Sequence, residues 1–278
     1  MKVILANHAG YCYGVERAFN IVEVAATSAQ RPITTLGPLI HNTQAIDALR
    51  EERNVSIADS LDEIEEGTVV IRTHGVPPDV LESAEEKGLE VIDATCPFVR
   101  SAQKLAAKLV EEGYTLVVLG EKNHPEVIGV TAHAGGEAIV VEDPDEISQY
   151  LPLKRVGVVV QTTQQLEKLE KLVRRLLPHC KDLKVQNTIC YATVDRQDAA
   201  RKLARDVQAM IVVGGRHSGN TRRLVDICKE GKVPVHHIET ADELDKAAFN
   251  DIDVVGVTAG ASTPDFIIED VVRKLESF

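Results

Sequence analysis

Three cysteines share a local grammar that could place a metal. Cys12 precedes Tyr13-Gly14-Val15-Glu16-Arg17, Cys96 precedes Pro97-Phe98-Val99-Arg100, and Cys190 precedes Tyr191-Ala192-Thr193-Val194-Asp195-Arg196. Each time the order is a thiol, an aromatic within two residues, a valine, an arginine and then a helical pattern. The apolar run Leu89 to Ile92 leads into Cys96, and Pro97 suits a first helical position. A thiol at a helix N-terminus is biased toward thiolate by the macrodipole. One such cysteine in each third of the chain reads as three modules, each placing one thiolate at a helix start. Three thiolates from distant segments suit a cubane iron–sulfur cluster, which normally takes four cysteines. With three, one iron is left open to a substrate, as Lewis acid and electron donor together. A Cys3His zinc site stays open as the other reading, and the lack of a C-x-x-C pair disfavours a zinc ribbon. Cys228, beside Leu224, Val225 and Ile227, reads as a core residue, and Cys180 as a loop thiol without a partner pattern.

A second set of residues suits an anion. His41 lies in Gly37-Pro38-Leu39-Ile40-His41-Asn42-Thr43, His74 in Thr73-His74-Gly75-Val76, and His124 in Asn123-His124-Pro125-Glu126. Each sits between a strand pattern and a helix pattern, and histidine can charge near neutral pH. A single loop histidine is more often just solvated; three at equivalent corners point to anion binding. Ser218-Gly219-Asn220-Thr221, Gly260-Ala261-Ser262-Thr263-Pro264 and Gln161-Thr162-Thr163 are small-residue or hydroxyl-rich turns ahead of helices. Capping alone explains one such turn; several in one chain favour a polyanion held by helix N-termini. The spacing after Val213 is G-G-x-x-x-G, not the dinucleotide G-x-G-x-x-G, so NAD binding is discounted. Glu126 has two local readings. One is a first-turn acid of a well-started helix; the other is a buried general acid.

The elements that must position these residues alternate along the chain. Strand patterns lie at Lys2–Ala6, Ile33–Leu36, Thr68–Arg72, Leu89–Ile92, Thr115–Leu119, Ala138–Val141, Val156–Gln161, Ala209–Val213, Val235–Ile238 and Val254–Thr258. Helical patterns lie near 14–28, 42–52, 78–87, 97–112, 125–134, 163–177, 193–207, 218–230, 240–248 and 264–276. Continuous Val/Ile runs separated by helices indicate buried parallel strands and an α/β class. The three modules are expected at 14–96, 97–187, and 188–278 together with 1–13.

Composition bounds the partners. The 278 residues are 44% hydrophobic and 27% charged, with a formal net charge of −12. That acidity argues against a nucleic-acid or membrane surface, so any phosphate site must be locally positive. No apolar run reaches the length of a signal or transmembrane segment. An odd count of five cysteines then argues for the cytoplasm rather than a disulfide framework.

Taken in order, Gly10-Tyr11-Cys12-Tyr13-Gly14-Val15, Gly37-Pro38-Leu39-Ile40-His41-Asn42, Thr73-His74-Gly75-Val76, Asp93-Ala94-Thr95-Cys96-Pro97, Asn123-His124-Pro125-Glu126, Gln161-Thr162-Thr163, Cys190-Tyr191-Ala192-Thr193, Ser218-Gly219-Asn220-Thr221 and Gly260-Ala261-Ser262-Thr263-Pro264 give a chain that resembles the 4-hydroxy-3-methylbut-2-enyl diphosphate reductase family of the non-mevalonate isoprenoid pathway. The resemblance covers essentially the whole chain, with no motif residue missing. It implies three similar α/β modules in a trefoil around one 4Fe-4S cluster per chain, held by Cys12, Cys96 and Cys190. It also implies that His41, His74, His124, Ser218, Gly219, Asn220 and Ser262 grip the diphosphate, with Thr193 in the same pocket wall. Glu126, His124 and Thr162 would form the catalytic group: Thr162 and Glu126 bond to the substrate hydroxyl, and Glu126 gives the proton.

The implied reaction is reductive dehydroxylation of an allylic diphosphate to isopentenyl and dimethylallyl diphosphate. Two single electrons would pass through the cluster, whose open iron takes the substrate oxygen. The implied electron donor is a small carrier such as ferredoxin or flavodoxin. Two rivals remain at this stage: a zinc-dependent phosphate-ester hydrolase, and a non-catalytic iron–sulfur sensor of a diphosphate metabolite.

Overall fold

A computed structural model describes residues 1–278. The chain packs as two compact units. One comprises Met1–Glu16, Ile40–Leu49 and Tyr191–Phe278; the other comprises Arg17–Leu39 and Arg50–Cys190.

Twelve strands form three four-stranded sheets, and every pairing is parallel. The first unit holds β1 (Lys2–Leu5), β10 (Ala209–Val213), β11 (Val235–Ile238) and β12 (Val254–Ala259), in the order β1-β12-β10-β11. The second unit holds two sheets. One orders β2 (Ile33–Leu36), β3 (Val55–Ala58), β4 (Thr68–Ile71) and β5 (Glu90–Asp93) as β3-β2-β4-β5. The other orders β6 (Thr115–Leu119), β7 (Ile139–Val141), β8 (Arg155–Val160) and β9 (Asp182–Val185) as β7-β6-β8-β9. The three orders are the same once β1 is counted as the last strand of its sheet: second, first, third, fourth. The α/β class with parallel sheets is therefore as expected.

Nine α-helices connect the strands: α1 (Tyr13–Ser28), α2 (Thr43–Arg53), α3 (Pro78–Glu86), α4 (Pro97–Glu111), α5 (Pro125–His133), α6 (Leu166–Leu176), α7 (Tyr191–Leu203), α8 (Gly219–Glu230) and α9 (Asp265–Glu276). The central strands are almost entirely buried because both of their faces are covered. In β10, Ala209, Ile211 and Val213 point into one core cluster, and Met210 and Val212 into another. In β6, Val117 and Leu119 share a core with Leu169, Leu172 and Leu176 of α6, while Leu116 and Val118 pack on α4 and α5 residues. Each fully buried Val, Leu, Ile or Met among them contributes about 1.5–3 kcal/mol.

The structure corrects the sequence expectation in three places. Strands β3 and β9 are additional, and each is an edge strand with a mixed burial pattern. The helix expected at 240–248 is instead two 3-10 turns, Ala241–Glu243 and Lys246–Phe249. Thr240 and Glu243 form a capping box, but Leu244 is extended, and Asp245 then caps the second turn through Ala247 N. Finally, α6 begins at Leu166 rather than 163, because Gln161–Gln164 forms a turn closed by a Gln164 N–H to Gln161 carbonyl bond of 3.0 Å.

Candidate active site

In an open parallel sheet, ligands bind beyond the carboxyl ends of the strands, where the strand order reverses. For the order found here, that point lies between the first and third strands of each sheet. His41, His124 and Ser218 follow first strands (β2, β6 and β10). His74, Thr162 and Ser262 follow third strands (β4, β8 and β12). The three cysteines follow fourth strands: Cys96 after β5, Cys190 after β9 and Cys12 after β1.

One hydrogen bond recurs at all three cysteines. The Cys12 N–H donates to Ala261 O at 3.2 Å, Cys96 N–H to Thr73 O at 2.9 Å, and Cys190 N–H to Thr162 O at 3.0 Å. In each case the acceptor is the second residue beyond the third strand of that sheet. Every cysteine loop is thus pinned to the neighbouring switch-point loop. Each of these cysteines is half-buried and immediately precedes a helix: α1, α4 or α7. Cys228 differs, being fully buried in a core cluster. Burial, with Glu230 adding to it, pushes its thiol up to about 12. Burial also raises the half-buried Cys180, with Asp182 adding to it.

In the second unit, Glu126 is 2% exposed in the first turn of α5. Both of its oxygens are held by one residue. Thr162 N–H donates to Oε1 at 2.6 Å, and the Thr162 hydroxyl donates to Oε2 at 2.9 Å. His124 caps the same helix, and its Nδ1 accepts the Glu126 N–H at 3.2 Å. That bond requires an unprotonated Nδ1, which places the proton of a neutral ring on Nε2. The His74 ring stands edge-on to His124, with centroids 5.2 Å apart. Sequence reasoning gave no role to Gln161, whose buried Oε1 accepts Glu121 N–H at 3.0 Å. It ties the end of β8, just ahead of Thr162, to the loop that delivers His124. Its place beside Thr162 in the same motif was the signal that could have found it.

In the first unit, Ser218 caps α8, its Oγ accepting Thr221 N–H at 3.3 Å. Asn220 is 5% exposed, and neither its Oδ1 nor its Nδ2 has a hydrogen-bond partner. A buried amide left unpaired costs about 1–3 kcal/mol. Ser262 donates from Oγ to His41 O at 3.2 Å. A Cβ at Gly215 would lie 2.7 Å from that same oxygen, so only glycine lets the two loops approach. Asn42, next to His41, caps α2 by accepting Ala45 N–H at 2.9 Å. Thr193 is buried in the first turn of α7, and Gly219 is the buried first residue of α8.

The chemistry these arrangements allow is specific. A buried acid bonded to a hydroxyl can pass a proton, because a hydroxyl both donates and accepts. A capped helix start with an unpaired amide and nearby hydroxyls can take an anion.

A family model described as LytB protein matches residues 3–276. The chain belongs to the LytB protein family. Its curated relatives include 4-hydroxy-3-methylbut-2-enyl diphosphate reductases from Aquifex aeolicus and Geobacter sulfurreducens. The first is 46% identical over 99% of this chain and 96% of its own length. The second is 45% identical over 100% of this chain and 98% of its own length. A solved structure of (E)-4-hydroxy-3-methyl-but-2-enyl diphosphate reductase, described as the terminal enzyme of the non-mevalonate pathway, is 45% identical. It covers both chains completely at a TM-score of 0.73. The corresponding reductase from Plasmodium falciparum is 29% identical over 98% of this chain and 87% of its own, at a TM-score of 0.90. The LytB chain is therefore an enzyme, an oxidoreductase, as expected. No helix in it is long and apolar enough to cross a membrane.

Proposed function

We propose that this LytB chain reductively removes the hydroxyl of 4-hydroxy-3-methylbut-2-enyl diphosphate, giving isopentenyl and dimethylallyl diphosphate. Two electrons and two protons are consumed, the carbon–oxygen bond breaks, and the oxygen leaves as water. The observation that carries this reading is the pair of bonds between Glu126 and Thr162. Thr162 also accepts the Cys190 N–H through its carbonyl. One residue thus links a buried acid to a thiol suited to iron.

Cys12, Cys96 and Cys190 hold a 4Fe-4S cluster. Their fit rests on the donor set: three half-buried thiols, each immediately ahead of a helix, of the residue type that ligates such clusters. Such a cluster supplies electrons one at a time and an iron that can act as a Lewis acid. The protein's own groups do the rest. Ser218, Gly219, Asn220 and Ser262, with His41, His74 and His124, bind the diphosphate, and Asn220 gains the partners it lacks. Thr193 completes the pocket wall. Thr162 bonds to the substrate hydroxyl and orients it toward Glu126, whose proton goes to the departing oxygen. His124 holds the Glu126 backbone in place through its Nδ1. Each sheet with its helices acts as one module, at 14–96, 97–187, and 188–278 with 1–13. A small one-electron carrier of the ferredoxin or flavodoxin kind delivers the electrons.

The test is turnover. Protein purified without air is given 4-hydroxy-3-methylbut-2-enyl diphosphate and a reduced viologen dye. Dye oxidation coupled to formation of both five-carbon diphosphates is expected. Release of free phosphate or of the intact alcohol, without dye oxidation, would overturn the proposal.

A further inference from the structure

The arginine in each cysteine motif has no part in the chemistry above, yet two of the three are directed at a cysteine loop. Arg17, in the second turn of α1 after Cys12, donates from Nη1 to Thr95 O at 3.3 Å. Thr95 immediately precedes Cys96. Arg196, in α7 after Cys190, is 3% exposed. It donates from Nη2 to Gly10 O at 2.8 Å and from Nη1 to Ala192 O at 3.0 Å. Gly10 stands two residues before Cys12 and has a φ of +94°, so this turn is a left-handed one that glycine favours. The third arginine, Arg100, pairs with Asp93 at 2.6 Å, and Asp93 Oδ1 accepts Thr95 N–H at 2.8 Å. The Thr95 backbone is thus held on both sides, at its carbonyl by Arg17 and at its N–H through Asp93.

We propose that Arg17 and Arg196 are positioning residues for the cluster, each rising from the helix after one cysteine and fixing the backbone that precedes another. The inference rests on the reading of Cys12, Cys96 and Cys190 as cluster ligands. A guanidinium is planar, always charged and suited to several acceptors at once. A charged hydrogen bond is worth about 1.5–3 kcal/mol, against about 1 for a neutral one. A loop that must present a thiolate with fixed geometry gains most from such a bond to its carbonyl. The order of help runs from the Cys190 helix to the Cys12 loop, and from the Cys12 helix to the Cys96 loop. In the Cys190 loop, Asn187 Oδ1 accepts Ile189 N–H at 3.2 Å.

The experiment compares wild type, Arg17→Gln, Arg17→Lys and Arg196→Met, with Arg53→Gln as a control at an exposed ion pair to Glu23. Iron and acid-labile sulfide per chain, the electron spin resonance signal of the reduced protein, and the rate at which an iron chelator strips the cluster are read on each holoprotein. Melting is read on each apoprotein. Arg17→Gln is expected to lose iron to the chelator about tenfold faster, with an altered resonance signal and an unchanged apoprotein melt. Arg17→Lys is expected to recover part of the loss, and Arg53→Gln to match wild type. If Arg196→Met fails to fold, Arg17→Gln, whose side chain is only half-buried, carries the test. A wild-type chelation rate and signal in Arg17→Gln, or a lowered apoprotein melt as its sole effect, would overturn the inference. A wild-type protein that binds no iron–sulfur cluster would instead overturn the reading on which it rests.

Discussion

Glu126 and Asn220 are both buried polar residues in the first turn of a helix that follows the first strand of its sheet, yet the fold treats them in opposite ways. Glu126 has both oxygens satisfied, by the backbone and the hydroxyl of Thr162. Asn220 has neither amide atom satisfied. A group that must transfer a proton gains from being held in place before the substrate arrives, since orientation supplied in advance lowers the barrier. A group that must bind gains from being left unpaired, because the ligand then relieves a desolvation already incurred on folding. On the proposed function, that difference is the one expected between a residue that transfers a proton and one that binds.

Substitutions at the two residues should break in different ways. Glu126→Gln keeps the shape and a hydrogen bond to Thr162 but removes the acid. Its kcat should fall by about 10²–10⁴-fold, with KM changed little, as steady-state assays under saturating reductant would show. A wild-type kcat would remove Glu126 from the proton step. Asn220→Ala should do the reverse. KM should rise about 10- to 100-fold, the worth of one charged hydrogen bond, with kcat nearly kept. The apoprotein should melt no lower than wild type, because the substitution deletes an unpaired buried amide. A clear drop in melting temperature would mean that Asn220 has a structural duty.

The cysteines extend the contrast to a smaller effect. Cys228 stays protonated in the fold up to about 12, whereas in the unfolded chain it ionises near the ordinary thiol value of about 8.5. The unfolded chain therefore releases this proton first as pH rises. The stability tied to it is fully present below the unfolded value and is lost as pH climbs toward the folded one. Cys228→Ala should flatten the fall in stability between those two values and leave iron content unchanged, as urea melts across alkaline pH and metal analysis would show. An unchanged alkaline slope would contradict the assigned burial effect.

Much of this was legible in the chain because it is local. Helix starts at Pro97, Pro125 and Ser218 are written in proline and capping chemistry. Strands such as Met210–Val213 declare themselves as unbroken apolar runs. Edge strands do not. Val55–Ala58 and Asp182–Val185 each alternate or mix exposure and carry polar residues, so their pattern matches a loop as well as a strand. The segment 240–248 misled because its two capping signals, at Thr240 and Asp245, each start a turn that cannot continue.

The recurrent cysteine motif was visible, but the purpose of its arginine was not. Arg196 and Gly10 lie 186 residues apart in the chain, and only folding brings them together. The same holds for the bond from each cysteine N–H to the loop beyond a third strand. Gln161 stood in a visible motif without a role for a related reason: it holds Glu121, forty residues away in sequence.

The most direct measurement on the central claim is iron and acid-labile sulfide per chain in protein kept from air, for wild type beside Cys96→Ala and Cys228→Ala. The account predicts a brown wild type and a brown Cys228→Ala, each with roughly four of iron and four of sulfide, and a colourless Cys96→Ala. A colourless wild type with zinc in place of iron, or a Cys96→Ala that keeps its full cluster, would contradict it.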